Sequence, residues 1–382
     1  MEAYFDNSAT TKVFDCVKDI VVKTMTEDYG NAASRHIKGV EAERYIREAR
    51  SVIAKSLKVQ DKEIVFTSGG SESNNMALIG GAMANRRRGG HIISTNVEHS
   101  SVYNTLGFLG EQGFEITYLP VDGHGHISLS QLKDSLRKDT ILVSVMYVNN
   151  EVGSVEPVEE IGKVIKECRP QALFHVDAIQ AYGKYEIRPK RQGIDLLSVS
   201  GHKLHGPKGV GFLYIDEKAK VRPLIYGGGQ QKGMRSGTEN VPGVAGLGAA
   251  VREIYRDHQS KVDYLYGLKA HFMERLGEVE GCVINSRPGR ESAPQIVNVS
   301  FEGIRSEVLL HALEERGIYV SSGSACSSNH PGLSGTLKGI GVRPEDATLR
   351  FSFGLFNKKE EIDYAIEVLK ELLPVLRRYR RG

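Results

Sequence analysis

The 382-residue chain has little cysteine, no long apolar run and almost no net charge, and each shortage closes off a class of protein. Its four cysteines stand at positions 16, 168, 282 and 326, with no CxxC pair and no zinc-type spacing. So few thiols in so long a chain point to a reducing compartment, and a cytoplasmic protein is expected. No apolar run approaches the roughly 18 residues that span a bilayer. The opening Met1-Glu2-Ala3-Tyr4-Phe5-Asp6 reads as neither a signal nor a transit peptide. A formal net charge of +3 makes no general case for binding nucleic acid or a membrane. Internal repeats and low-complexity segments are absent too. What remains is a chain of ordinary soluble composition, 40% hydrophobic and 25% charged, long enough for a large core and two domains.

The apolar pattern alternates between two periods. Residues 1–15 read as a short arm ending in Asp6-Asn7-Ser8-Ala9-Thr10-Thr11, too polar for a core strand. Helical spacing runs from Glu41 to Val59, and strands are expected at 63–67, 91–96, 114–121, 141–147, 172–177, 195–200 and 209–215. Helices are expected between several of them, at 101–111 and 157–168 for example. Strands separated by helices predict an α/β fold with a mostly parallel sheet covered on both faces. After residue 255 the pieces shorten, which predicts a smaller α+β domain. The expected division is 16–254 for the large domain, with 1–15 and 255–382 forming the small one. One long helical stretch is expected over about 242–276.

The most informative stretch is Asp195-Leu196-Leu197-Ser198-Val199-Ser200-Gly201-His202-Lys203, an apparent core strand that ends on a lysine. A lysine there must be solvated, be paired or lose its proton. A lysine deprotonated by burial can attack a carbonyl and form a Schiff base, which points to pyridoxal phosphate on Lys203. An exposed loop lysine would account for the same residues. A phosphate-loop reading fails, because Pro207 follows Gly206 where that motif needs Lys then Ser or Thr.

Other candidates sit at strand ends, where parallel sheets bind ligands. Ser68-Gly69-Gly70-Ser71 lies between a strand and a helix, where bare N–H groups attract an anion; Ser71 could cap that helix and donate to a phosphate. Asp177 closes His175-Val176-Asp177, and an anion within ~4–6 Å raises a pyridine nitrogen's pKa by ~1–3 units. Gln180 could reach the phenolate oxygen of the same ring. His99 follows a strand and could stack on a planar cofactor. Asn150 falls on the same rim. A helix-capping role for Asp177 and an ordinary hydrogen-bonded role for His99 are the plainer alternatives. His124 and His126 occupy a glycine-rich turn with no further metal ligands in sight. Cys326 lies in Ser322-Gly323-Ser324-Ala325-Cys326-Ser327-Ser328, too small and polar a run for a core cysteine, and is read as an available nucleophile. Cys16, Cys168 and Cys282 are read as structural.

Taken together the motifs resemble the NifS/IscS-type cysteine desulfurases, class-V aminotransferase relatives of pyridoxal phosphate fold type I. Besides those already quoted, the resemblance rests on Asn149-Asn150-Glu151-Val152-Gly153, Ser200-Gly201-His202-Lys203 and Arg235-Ser236-Gly237-Thr238. It covers essentially the whole chain. It implies that Lys203 carries the cofactor, Asp177 protonates its ring, His99 stacks on it, and Gln180 and Asn150 contact its phenolate side. Gly70, Ser71, Ser200 and His202 would hold the phosphate, with Thr238 arriving from the second subunit of a homodimer. Arg350 would clamp the substrate carboxylate, with Asn150 nearby; otherwise it is a strand-end surface arginine.

L-cysteine would lose its sulfur to Cys326 as a persulfide and leave as alanine. The sulfur would pass to an acceptor protein, an iron–sulfur scaffold or a tRNA-thiolation protein. Two departures from the family's pattern stand out. Ser71 replaces a frequent threonine, and the chain lacks the longer tail that some members use to dock a scaffold. An aminotransferase or a selenocysteine lyase on the same fold is the alternative within enzymes. A cofactor-binding regulator is the alternative outside them, though no helix-turn-helix has room here. The basic end Arg377-Arg378-Tyr379-Arg380-Arg381 reads as a solvated helix terminus, and no direct nucleic-acid binding is expected.

Overall fold

The computed structural model describes residues 1–322, 334–343 and 346–378, so Cys326 lies outside the described residues. A two-residue strand opens the chain, β1 (Ala3–Tyr4). Seven strands then build the main sheet: β2 (Ile64–Thr67), β3 (His91–Thr95), β4 (Glu115–Leu119), β5 (Thr140–Met146), β6 (Leu173–Asp177), β7 (Leu196–Ser200) and β8 (Gly211–Ile215). Their order across the sheet is β2-β8-β7-β6-β5-β3-β4. The pairings are parallel except those of β8, which runs against both β7 and β2. Two reversals return β2 to the common direction, so the C-terminal ends of β2, β3, β5, β6 and β7 share one rim.

Successive residues on a strand face opposite ways. The neighbours Ile92 and Ile93, Leu142 and Val143, Leu173 and Phe174, Leu196 and Leu197 are all buried, and each pair is split between two cores. Both faces of the sheet are therefore covered, which is why its strands read as unbroken apolar runs. On one face lie Ile37–Leu57 and Val241–Tyr255. On the other lie Ser100–Glu111 and a helical rod, Gly70–Asn75, continued through π-type Met76–Gly80 into Gly81–Asn85.

A second, four-stranded antiparallel sheet has the order β12-β13-β10-β9, from β9 (Cys282–Ile284), β10 (Ile296–Phe301), β12 (Ser321–Ser322) and β13 (Ala347–Ser352). It packs on His258–Leu276 and Lys359–Arg378, in a core that also takes in Ala3 and Phe5. The N-terminal arm is thus partly a strand, contrary to expectation: β1 pairs in parallel with β11 (Ile318–Tyr319) because Ala3 and Phe5 are apolar enough to be buried.

The helical stretch expected over 242–276 is two helices. The chain breaks at Arg256, which is extended, and Asp257, which takes a left-handed conformation at φ +54°; a short polar side chain tolerates that better than most. Cys16 is exposed on the helix Asp15–Thr26 and packs in no core, unlike the structural role expected for it. Among the described residues no helix is long and apolar enough to cross a membrane.

Candidate active site

The shared rim opens into a cleft of about 400 Å³. Lys203, Asp177, His99, Asn150 and Gln180 line it, as do Gly70, Ser71, Ser200, His202 and Arg350. Nine of these come from segments on the rim of the main sheet; Arg350 comes from β13.

Lys203 ends a one-turn helix, Gly201–Lys203, directly after β7. That turn folds tightly on itself. A Cβ on Gly206 would lie 2.8 Å from the Gly201 carbonyl oxygen, so glycine is needed there, and one on Gly201 would lie a tight 3.0 Å from that of Pro207. Lys203 Nζ donates to the carbonyls of Ser8 (2.5 Å) and Ala9 (2.7 Å), so the N-terminal arm holds the amine. Beneath it Lys184 Nζ donates to the backbone carbonyl of Lys203 at 2.7 Å. Burial, and then the neighbouring Lys203 charge, pull the Lys184 pKa down to about 7.

Asp177 stands at the end of β6 and is 3% exposed. Its Oδ1 accepts from the Ile179 N–H (3.0 Å) and its Oδ2 from Asn74 Nδ2 (2.9 Å). Burial raises its pKa, against these hydrogen bonds and the charges of His99 and Lys203. A carboxylate so placed favours a cation in the cleft.

His99 is the N-cap of Ser100–Glu111: its Nδ1 accepts from the Ser101 N–H at 3.1 Å and lies 2.8 Å from Ser101 Oγ. Burial lowers its pKa against the pull of the Asp177 charge, and so favours the neutral ring. Gln180 is buried and donates from Nε2 to the Ser8 carbonyl at 3.0 Å. Arg350 donates from Nη1 to the Asn150 carbonyl (2.8 Å) and from Nη2 to Asp6 Oδ1 (2.7 Å). Its Nε is buried with no partner among the described residues.

The cleft is also lined by the start of a helix. Gly69, at φ +150°, is the N-cap of the rod beginning at Gly70, and no side chain caps that terminus. Ser71, expected as the cap, lies inside the first turn, because the chain has already become helical one residue earlier. A Cβ on Gly70 would lie 2.3 Å from Ile179 Cδ1, so a larger residue there would have to push that side-chain tip aside. Burial, helped by Lys203 and Lys208, brings the His202 pKa down to about 4, and its Nδ1 lies 3.2 Å from Thr10 Oγ1. Thr238 does not line this cleft. It is exposed on a loop that Arg235 ties to the same rod through Glu72, with Nε 2.9 Å from Oε1.

Sequence reasoning missed Asp6, Ser8, Asn74, Ser101 and Lys184, which hold those residues in place; Asp6, Ser8 and Ser101 line the cleft as well. The segments of the first three were noticed, but their side-chain types alone point to no partner. His124 and His126 sit in a turn whose backbone N–H groups donate to Asp122 Oδ1, at 2.8 and 3.0 Å.

The pattern that defines the aminotransferase class-V family matches residues 3–365. The chain is 43% identical over 376 residues to cysteine desulfurase IscS of Methanosarcina thermophila, covering 98% of this chain and 92% of that one. Among solved structures it resembles a NifS-like protein with a TM-score of 0.93 at 38% identity, covering 98% of this chain and 100% of the other. SspA in complex with cysteine matches with a TM-score of 0.83 at 35% identity, over 93% of this chain and all of that one.

Proposed function

This chain belongs to the aminotransferase class-V family, and we propose that it is a pyridoxal phosphate-dependent cysteine desulfurase, taking sulfur from L-cysteine and releasing L-alanine. The observation that carries the proposal is the convergence on one cleft of an amine, a buried carboxylate and an uncapped helix start. That donor set fits pyridoxal phosphate. Lys203 would bind its aldehyde, Asp177 its ring nitrogen, and Gly70, Ser71, Ser200 and His202 its phosphate. His99 would stack on the ring, with Gln180 and Asn150 on its phenolate side. When bound, the cofactor supplies an electron sink that loosens the bonds of a substrate's Cα.

The chain's own residues do the rest. Arg350, which lines the cleft, binds the substrate carboxylate. Lys203 Nζ would take the proton from Cα and return it at the next stage. Asp177 holds the proton on the ring nitrogen. The thiolate of Cys326 attacks the substrate sulfur: an S–S bond forms, the Cβ–S bond breaks, and its electron pair stays on Cβ, which takes up a proton. Cys326 is left as a persulfide for an acceptor protein, in iron–sulfur assembly or tRNA thiolation.

The division into 16–254 and 1–15 with 255–382 suits this chemistry, since Arg350 and Cys326 then come from the smaller part and meet the cofactor of the larger. A homodimer would bring Thr238 to the neighbouring subunit's phosphate. Exposed apolar residues on and between the first two helices, Val22, Met25, Tyr29, Ile37 and Val40, support such an interface. The purified protein should be yellow, and Cys326→Ser should keep the colour while forming no alanine from cysteine. Protein that stays colourless after the cofactor is added overturns the cofactor assignment; undiminished turnover by the variant overturns the nucleophile.

A further inference from the structure

Asn74 is fully buried in the rod that follows β2, facing neither solvent nor the cleft. A carboxylate can only accept, so its contact with Asp177 fixes which way the amide lies. Both amide hydrogens are used: one goes to Asp177 Oδ2 at 2.9 Å, the other to Ser101 Oγ at 2.9 Å. The Ser101 hydroxyl, having accepted from Asn74, is free to donate to His99 Nδ1 at 2.8 Å. The backbone N–H of Ser101 points at the same nitrogen at 3.1 Å. With two donors on Nδ1, the proton of the neutral imidazole belongs on Nε2.

Asn74 Oδ1, meanwhile, is buried with no partner among the described residues. Stranding a polar atom is unfavourable, and an apolar residue of similar size would avoid it. The amide is therefore worth having for its two N–H groups.

We propose that Asn74 and Ser101 are positioning residues that join Asp177 to His99, so that the carboxylate that would pair with the ring nitrogen and the imidazole that would stack on the ring are set as one unit. The assignment rests on the pyridoxal phosphate reading of the cleft and adds to it Asn74, which does not line the cleft, and Ser101, which lines it and links Asn74 to His99. Three segments distant in sequence meet here: the rod after β2, the helix after β3 and the end of β6. Loss of either link should leave Asp177 less well held as an anion and His99 less well fixed in one tautomer.

The test uses the full-length protein with and without cofactor. In the cofactor-free protein, nitrogen NMR of labelled histidines, with His99 assigned through His99→Gln, should show the proton on Nε2; a proton on Nδ1 overturns the proposal. Reconstitution should show that Asn74→Ala and Ser101→Ala each bind pyridoxal phosphate about tenfold more weakly than the wild type. Because both break one chain of bonds, the double variant should be little worse than the poorer single one. Ser101→Thr, which keeps the hydroxyl, should restore binding. Wild-type affinity in both single variants, or losses that multiply in the double, overturn the coupling. Should Asn74→Ala not fold, Ser101→Ala decides the matter in the cofactor-free protein, since Ser101 is only half-buried: its His99 nitrogen shifts should move and Ser101→Thr should restore them, and unmoved shifts overturn the coupling. Failure of the wild type itself to bind the cofactor would instead overturn the reading of the cleft.

Discussion

Asp177→Asn isolates the carboxylate on which the proposed chemistry turns, because it keeps the size of the side chain and removes its charge. Two effects add. An anion within ~4–6 Å raises the pKa of a ring nitrogen by ~1–3 units, so its removal lowers the ratio of protonated, electron-accepting ring to unprotonated ring by about ten- to a thousandfold. The second effect is local. Asp177 accepts on both oxygens, from Ile179 N–H and from Asn74 Nδ2. The amide introduced by Asp177→Asn has one oxygen only, so its NH₂ must face one of those donors. Leaving a buried donor unsatisfied costs about 1–3 kcal/mol.

Burial already raises the Asp177 pKa in the free protein. Removing the charge should therefore relieve part of that local cost, and the cofactor-free variant should fold. The assay is alanine formed from cysteine at saturating pyridoxal phosphate, alongside the dissociation constant of the cofactor. Turnover should fall by at least tenfold, and affinity should fall with it. A variant that stays yellow and turns over within threefold of the wild type would refute the role of this carboxylate.

Glu98, just before His99, is buried with Oε1 accepting from Thr95 Oγ1 (2.8 Å) and the Met146 N–H (2.9 Å), and burial pushes its pKa up to about 8. The folded chain keeps this proton while the unfolded chain releases it near 4.5. The group's contribution to stability is thus fully present at acid pH and is lost as pH rises toward 8, by up to ~1.4 kcal/mol per pH unit. Glu98→Gln should flatten that fall, seen as a smaller change in urea midpoint between about pH 5 and 8; equal slopes in both proteins would count against it. Phe212→Ala should lower stability by about 3–5 kcal/mol, because Phe212 is fully buried on β8 with its ring 5.3 Å from that of Tyr182. Chemical denaturation measures this, and a loss below 1 kcal/mol would show that the surrounding core can close the gap.

The central strands were legible because burial on both faces leaves long apolar runs, as in Thr140–Met146, every residue of which is buried. Their direction was not, since an apolar run reads alike in either orientation. A clue to the reversal of β8 did exist: only ten residues, Gly201 to Val210, separate it from β7. A parallel crossover takes about a dozen residues or more, usually with a helix. The break at Asp257 left no such mark, because the apolar residues on either side continue with helical spacing.

Within the cleft the same division holds. Lys203, Asp177 and His99 could be named from residue type and position at a strand end, since each carries a group that would meet a ligand, whereas Arg350 was reached only through the family resemblance. Asn74 and Ser101 could not, because their part depends on three segments arriving with their donors and acceptors matched. An asparagine four residues into a helix looks the same whether it is exposed or bridges two functional side chains. Here the separation of β2, β3 and β6 across the sheet means that only the folded chain brings Asn74, Ser101 and Asp177 within 2.9 Å of their partners. Residues that act on a ligand advertise themselves by type, whereas residues that act on other residues are defined by the register of the fold.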